Sequence, residues 1–354
     1  MKELNSMTVS ELSELLKELG EPEYRAKQVF SWAQRCVLPE NMTNLPKSLR
    51  QKLSELPFGT AAIYQKRISK KDGTIKYLFK LGDGNMIEGV LMHNNYGSTM
   101  CLSTQVGCKM GCAFCASTLE GCVRNLTAGE MLAQINAAEA DCPPPDGKPR
   151  TVTNIVLMGS GEPLDNYDNV VRFLKLLTDE KGLNISARNI SVSTCGLVDR
   201  IYSFIDDAPH VTLCISLHAP NDALRSELMP INKKYPVAAV IEAAGFYALK
   251  TGRRVIFEYA LINKKNDGVA HADELARRLR GMNCHVNLIP LNHVVERNLM
   301  GVTREYAYKF AKLLEERRIS ATVRREMGAD IDGACGQLRR RAILGQTGNG
   351  ERNA

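Results

Sequence analysis

Eleven cysteines are spread along the chain, and three of them, Cys108, Cys112 and Cys115, fall in a C-x3-C-x2-C pattern inside CLSTQVGCKMGCAFCAS, residues 101–117. Thiolates this close together can ligate metal, and two cages compete for them. Structural zinc takes four ligands, so it would have to recruit Cys122, Cys101 or a histidine. An iron–sulfur cubane has four iron corners, each normally held by a thiolate. Three thiolates would leave one iron open to a small molecule. Cys101, seven residues upstream of Cys108, needs its own explanation.

The elements around the cluster suggest how it is positioned. From residue 100 onward, strand-like runs (TMCLSTQ, NIVLMG, ISVST, VTLCISL, VIFEYALI, HVNLIPL) alternate with helical ones such as LTAGEMLAQINAAEA, NVVRFLKLL and REYAYKFAKLLEERR. Six such units predict an α/β fold with a parallel sheet and right-handed crossovers, short of the eight of a closed barrel. Small and polar residues follow the strands: the cysteines, GSGEP (159–163), STCG (193–196), SLHAP (216–220) and LN (291–292). Carboxyl ends of parallel strands are where such folds place their sites. Upstream, TVSE with Thr8 and Glu11 is a capping box that opens a small helical module. Alternating runs punctuated by KDG and GDGN then predict β-hairpins.

With 354 residues, 44% hydrophobic and 24% charged, the composition is that of a globular protein. No run approaches the roughly 18 apolar residues needed to span a bilayer, and a cytoplasmic location without a membrane partner is expected. In a reducing cytoplasm, clustered cysteines favour metal binding or catalysis over disulfides. The net charge of +7 is compatible with a polyanionic partner. Basic clusters at Lys47, Arg50 and Lys52, at Lys66, Arg67, Lys70 and Lys71, at Lys233 and Lys234, and at Arg339–Arg341 each read as a solvated face. Together they admit RNA or DNA.

The cysteine spacing, with Phe114 before the last thiol, is the pattern associated with radical enzymes that bind S-adenosylmethionine (SAM) on the open iron. As an ordered set, CLSTQVGCKMGCAFCAS, NLTAGE, LMGSGEPLDN, STCG, SLHAPND with LMPINKKYP, NLIPLN and GADIDGACGQL resemble the RlmN/Cfr family. These are radical-SAM methyltransferases acting on adenosine in RNA. The resemblance runs over essentially the whole chain, and GEP with PINKKY lies nearer the RlmN branch. It implies a partial (β/α)6 TIM-like barrel over 100–344, including a catalytic C-terminal loop. A helical, helix-hairpin-helix-like RNA-binding domain would span 1–57, a β-hairpin connector 58–99 and a disordered tail 345–354.

Carried over residue by residue, the resemblance implies that Cys108, Cys112 and Cys115 hold a 4Fe-4S cluster. Gly161, Glu162, Ser193, Ser216, Leu217, His218 and Asn292 would contact SAM. Cys335 would carry the methyl group transiently, with Cys101 its partner in a disulfide that releases product, and Glu88 would stand near the target adenine. Ser160 departs from the methionine usual in that loop. Carbon 2 of adenine is electron-poor and cannot attack a sulfonium methyl, so another group must take the methyl first, which a thiolate can do; the resemblance implies that two SAM molecules are consumed per turnover. Implied partners are 23S rRNA, tRNA and a flavodoxin- or ferredoxin-type electron donor, with the enzyme a monomer. Trp32 and Tyr24 are candidates to stack on a base, with the lone tryptophan read as module core first. Cys122, Cys195, Cys214 and Cys284 are read as ordinary packing residues. Two alternatives stay open: Cfr-type methylation of carbon 8, and a zinc-stapled RNA-binding protein without catalysis.

Overall fold

A computed structural model describes residues 2–144, 146–292, 298–331 and 338–339. Cys335 and the 345–354 tail lie outside the described residues. Three helices come first: α1 (Val9–Glu18), α2 (Arg25–Ala33) and α3 (Lys47–Ser54). The expected capping box opens α1, with the Thr8 hydroxyl accepting from the Glu11 amide and the Glu11 carboxylate accepting from the Thr8 amide.

Strands β1 (Ala61–Ile68), β2 (Ile75–Leu81), β3 (Met86–Asn94) and β4 (Gly97–Cys101) form an antiparallel meander. Beyond β4 the same sheet continues in parallel through β7 (Val152–Leu157), β8 (Ile190–Thr194), β9 (Thr212–Ser216), β10 (Val255–Leu261), β11 (Cys284–Pro290) and β12 (Ala321–Val323). The six expected parallel strands are all present, and β12 adds a short seventh beside β11. Its three residues precede a charged run, RRE, so no hydrophobic pattern marks them. Crossovers run through α4 (Ala128–Asp141), α5 (Tyr167–Thr178), α6 (Val198–Asp207), α7 (Asp222–Leu228) with α8 (Val237–Thr251), α9 (Val269–Leu279) and α10 (Arg304–Glu316). Among the described residues no helix is long and apolar enough to cross a membrane.

The amino-terminal helices share one core with the sheet rather than standing apart. Leu12, Leu16, Val29, Phe30, Leu49 and Leu53 are fully buried in the same cluster as Leu132, Phe173 and Leu177 of α4 and α5. Polar pins lock the junction. The buried Asn5 amide accepts from the Gly59 amide at 2.9 Å and donates to the carbonyls of Gly59 and Gly129 at 2.9 and 3.3 Å. Arg172 of α5 pairs with Glu11 at 2.7 Å.

A second, two-stranded ladder, β5 (Gln105–Gly107) with β6 (Cys122–Asn125), stands off the main sheet. It clamps the two ends of the loop that carries the cysteines. Gly107 has φ +81°, and a side chain there would collide with the Gly121 carbonyl oxygen. The Cys108 amide donates to that same carbonyl at 2.8 Å.

Candidate active site

The cysteine loop is held at three levels. Its base is the β5–β6 ladder. Its middle is tied to α7, where the Leu228 carbonyl accepts from the Ala113 amide at 2.8 Å. Its far end is capped by Thr118, whose hydroxyl donates to the carbonyls of Cys115 and Cys112 at 3.0 and 3.3 Å. So fixed, Cys108, Cys112 and Cys115 all line one cavity of about 540 Å³ at the carboxyl ends of the parallel strands. Cys101, the last residue of β4, lines it too.

The loops after the next strands close the cavity. Gly161, at φ +110°, lets the GSGEP turn lie against β5: a Cβ would sit 2.7 Å from the Gln105 amide nitrogen. Glu162 follows as a buried acid. Burial pushes its carboxyl above the usual range; against this, the Cys195 amide (2.7 Å), the Thr194 hydroxyl and the Leu164 amide (3.0 Å) donate to it. Ser193 of β8 donates to Glu258 of β10 at 2.6 Å, and Ser216 of β9 stands 3.4 Å from the same oxygen. His218 has φ +57° and accepts from the Ala260 amide on Nδ1 at 2.9 Å. Burial, and then the nearby Arg225, lower its pKa to about 3, so the ring is neutral with its proton on Nε2. Its ring meets Phe114 edge-on, centroids 4.9 Å apart.

Of the expected SAM contacts, Gly161, Glu162, Ser193, Ser216, His218 and Asn292 therefore converge on the cavity. Leu217 does not. It is fully buried, in the main core, behind the wall. Glu88 is also outside the lining: 3% exposed in the middle of β3, it pairs with fully buried Lys76 at 3.2 Å and accepts from the Arg339 amide at 2.6 Å. Ser160 is buried with its hydroxyl 3.0 Å from that of Ser117. The departure in the GSGEP loop thus faces the cysteine loop, away from the cavity lining.

Three groups were not singled out by sequence reasoning. Glu258 lines the cavity from the centre of β10; an acid inside a strand buried on both faces was the available signal. Cys195, read as a packing residue, lines it as well. Arg225 of α7 is fully buried next to it. At the mouth, Arg304, Arg324 and Arg325 are exposed among the lining residues.

The residues fit a cluster and a SAM-sized ligand. Burial pushes the Cys108 thiol up to about 12 and Cys112 higher still, so each ionises there only with a cation to hold it. Among the described residues no three His, Cys, Asp or Glu side chains close round a single ion. Among the described residues the three thiols line the wall separately, and no fourth His, Cys, Asp or Glu closes a zinc site with them. Carboxylates at Glu162 and Glu258 with hydroxyls at Ser193 and Ser216 suit an amino group and ribose, in a volume usual for a small-molecule site.

In the amino-terminal module, Trp32 packs half-buried against the core and donates to Asn44 at 2.6 Å. Tyr24 is 61% exposed under Arg25. Arg50 and Lys52 donate to the carbonyls of Glu40 and Leu19, while Lys47 is exposed.

Two family models match the chain: the Radical SAM superfamily over residues 102–276, and the ribosomal RNA large subunit methyltransferase N-terminal domain over residues 2–57. It is 48% identical over 346 residues to a probable dual-specificity RNA methyltransferase RlmN of Thermoanaerobacter sp. (strain X514), covering 97% of this chain and 99% of the relative. The RlmN of Alkaliphilus oremlandii (strain OhILAs), also described as probable, is 51% identical over 343 residues, 96% of this chain and 98% of the relative. Among solved structures, a radical SAM methyltransferase from Sphaerobacter thermophilus superposes with a TM-score of 0.89 at 47% identity, covering 95% of this chain and 99% of that one.

Proposed function

The chain belongs to the RlmN family of radical-SAM RNA methyltransferases, and on that premise we propose that it methylates carbon 2 of adenosine in 23S rRNA, in the peptidyl-transferase region, and in tRNA, 3′ of the anticodon. The observation that carries this reading is the company Cys101 keeps. A fourth thiol, on β4 and outside the metal-binding spacing, lines the same cavity as the three loop cysteines. A cluster enzyme that only cleaves SAM has no use for it. A methyl carrier that must release its product by thiol chemistry does.

Cys108, Cys112 and Cys115 hold the cluster. When bound, the 4Fe-4S cluster supplies the electron that cleaves SAM, received from a flavodoxin- or ferredoxin-type donor. Glu162, Ser193, Ser216 and Asn292 orient SAM, with Glu258 buttressing the two serines. Neutral His218 offers an Nε2 hydrogen without adding charge. Cys335 would accept a methyl group as its thiolate, and Cys101 would form a disulfide with it as the carbon–sulfur bond to the methylated base breaks, with one proton and one electron released and two SAM molecules used per turnover. Leu217 acts through its backbone, whose carbonyl and amide bond Arg225 and Glu258. The target base must leave its stack to reach so recessed a floor. Arg304, Arg324 and Arg325 at the mouth, with Lys47 on the amino-terminal module, suit the phosphates on either side of it. The protein works as a cytoplasmic monomer.

Nucleoside mass spectrometry tests the proposal. The reconstituted protein is given SAM, a reductant and protein-free rRNA or tRNA without oxygen, and the RNA is digested. 2-Methyladenosine from both RNAs is the expected product. 8-Methyladenosine alone would place the enzyme in the carbon-8 branch, and SAM cleavage without methylated adenosine would refute the substrate.

A further inference from the structure

Arg225 is fully buried, yet every bond it makes is to a neutral acceptor. Nε donates to the Leu217 carbonyl at 3.1 Å, and Nη1 to the Asn232 side-chain oxygen at 3.1 Å and the Tyr235 carbonyl at 3.2 Å. Nη2 donates to the carbonyls of Cys195 at 2.6 Å and Ser216 at 3.3 Å. The fork therefore ties the carboxyl ends of β8 and β9 to the PINKKY segment. Among the described residues no carboxylate lies within ion-pair distance of it. Asp222 reaches it only through Asn232, which donates to that carboxylate at 3.0 Å. Glu162 reaches it only through the Cys195 peptide, whose amide bonds Glu162 while its carbonyl bonds Arg225.

Burying a cation without a directly opposed anion is unfavourable. What lies next to it is the cysteine loop. Helix α7, which carries Arg225, accepts the Ala113 amide on its last carbonyl, and Cys195, whose carbonyl Arg225 holds, packs in one buried cluster with Cys112, Leu228 and Met229. A cubane on three thiolates is anionic, and more so after reduction.

We propose that Arg225 is a positioning residue that also acts electrostatically. It holds the strand ends that bind SAM, and its charge, which no carboxylate among the described residues opposes at ion-pair distance, favours the reduced cluster. This rests on the cluster assignment above. Local charge is one of the levers that set cluster potentials. Removing a cation beside the cluster makes reduction harder.

The test is the midpoint potential of the reconstituted cluster, followed by electron paramagnetic resonance, with iron and sulfide counted in each sample. Arg225→Gln should shift the potential negative, by about tenfold in the reduction equilibrium, or about 59 mV for one electron. Arg225→Lys keeps the charge and should keep the potential, while losing melting temperature and SAM affinity because it cannot reproduce the fork. Should Arg225→Gln fail to fold, the exchange Asp222→Asn with Asn232→Asp moves a negative charge next to the guanidinium at constant total charge. It should shift the potential the same way. A cluster-loaded Arg225→Gln protein, or failing that the exchange variant, with the wild-type potential would overturn the proposal and leave Arg225 purely structural. A wild-type protein that takes up no cluster would sink the premise instead, and the iron count separates the two failures.

Discussion

His218 and Glu88 are both buried titratable groups, and their surroundings assign them different work. His218 is held neutral, its pKa brought down to about 3 by burial and then by Arg225. Unfolded, the ring would titrate near 6.5. Between these values the unfolded chain binds the extra proton, so the contribution is present above about pH 6.5 and is lost as pH falls toward 3. At pH 5 the loss relative to pH 7 amounts to about 2 kcal/mol. His218→Asn, a side chain that tolerates the left-handed backbone there, should flatten this part of the stability–pH curve in denaturant melts. An unchanged slope would refute the assignment. Glu88, expected near the adenine, instead faces Lys76 and the Arg339 amide. Glu88→Gln keeps an oxygen for that amide and removes the charge opposite Lys76. The expected result is a lower melting temperature with cluster content intact. If the melting temperature holds while turnover disappears, Glu88 is catalytic after all. The contrast shows what could be read from sequence at this scale. The C-x3-C-x2-C pattern of Cys108, Cys112 and Cys115 is legible because its spacing is local, and the three do line one cavity. Arg225 and Glu258 are not legible in this way, because the groups that give them meaning are backbone carbonyls and hydroxyls on other strands.

At the scale of elements, the parallel strands were legible because strands covered on both faces read as apolar runs such as NIVL and VTLCISL. Two elements lacked that signal: β12, with three residues, and α7, whose seven residues present Arg225 and Leu228 inward but no full amphipathic period. The β5–β6 ladder was hidden for a different reason. It exists because Gly107 takes a positive φ and admits the Gly121 carbonyl, a long-range fit that no local pattern encodes. The ladder should matter to the cluster more than to the fold. Gly107→Ala would push the loop base open, since both the backbone conformation and the space are denied to a methyl group. The expected protein melts within a few degrees of wild type but retains less iron and sulfide after reconstitution and desalting. Full cluster content in Gly107→Ala would mean that α7 and Thr118 hold the loop unaided.

For the whole molecule, the question is whether the amino-terminal helices are a tethered module or part of the barrel. The change from helical to strand-like sequence near residue 57 suggests a boundary, and the matched amino-terminal family model ends there. Packing crosses that boundary. The helices contribute to a single core with α4 and α5, and Asn5 satisfies three backbone groups on Gly59 and Gly129 that no water would reach. A helical surface built this way holds Lys47 and Tyr24 at a fixed distance from the cavity mouth, so that RNA, on the function proposed above, would meet a rigid frame. Two consequences follow from the same geometry. Calorimetry of the full chain should give one cooperative transition, because neither part keeps its core without the other. Asn5→Ala should strip partners from the Gly59 amide and from two carbonyls. Each unsatisfied buried group costs about 1–3 kcal/mol, so the single transition should move down as a whole, with RNA affinity following stability. Two separated transitions in wild type, or an early melting of the helices alone in Asn5→Ala, would mean that the amino-terminal part swings free, and RNA would then be captured by a moving arm.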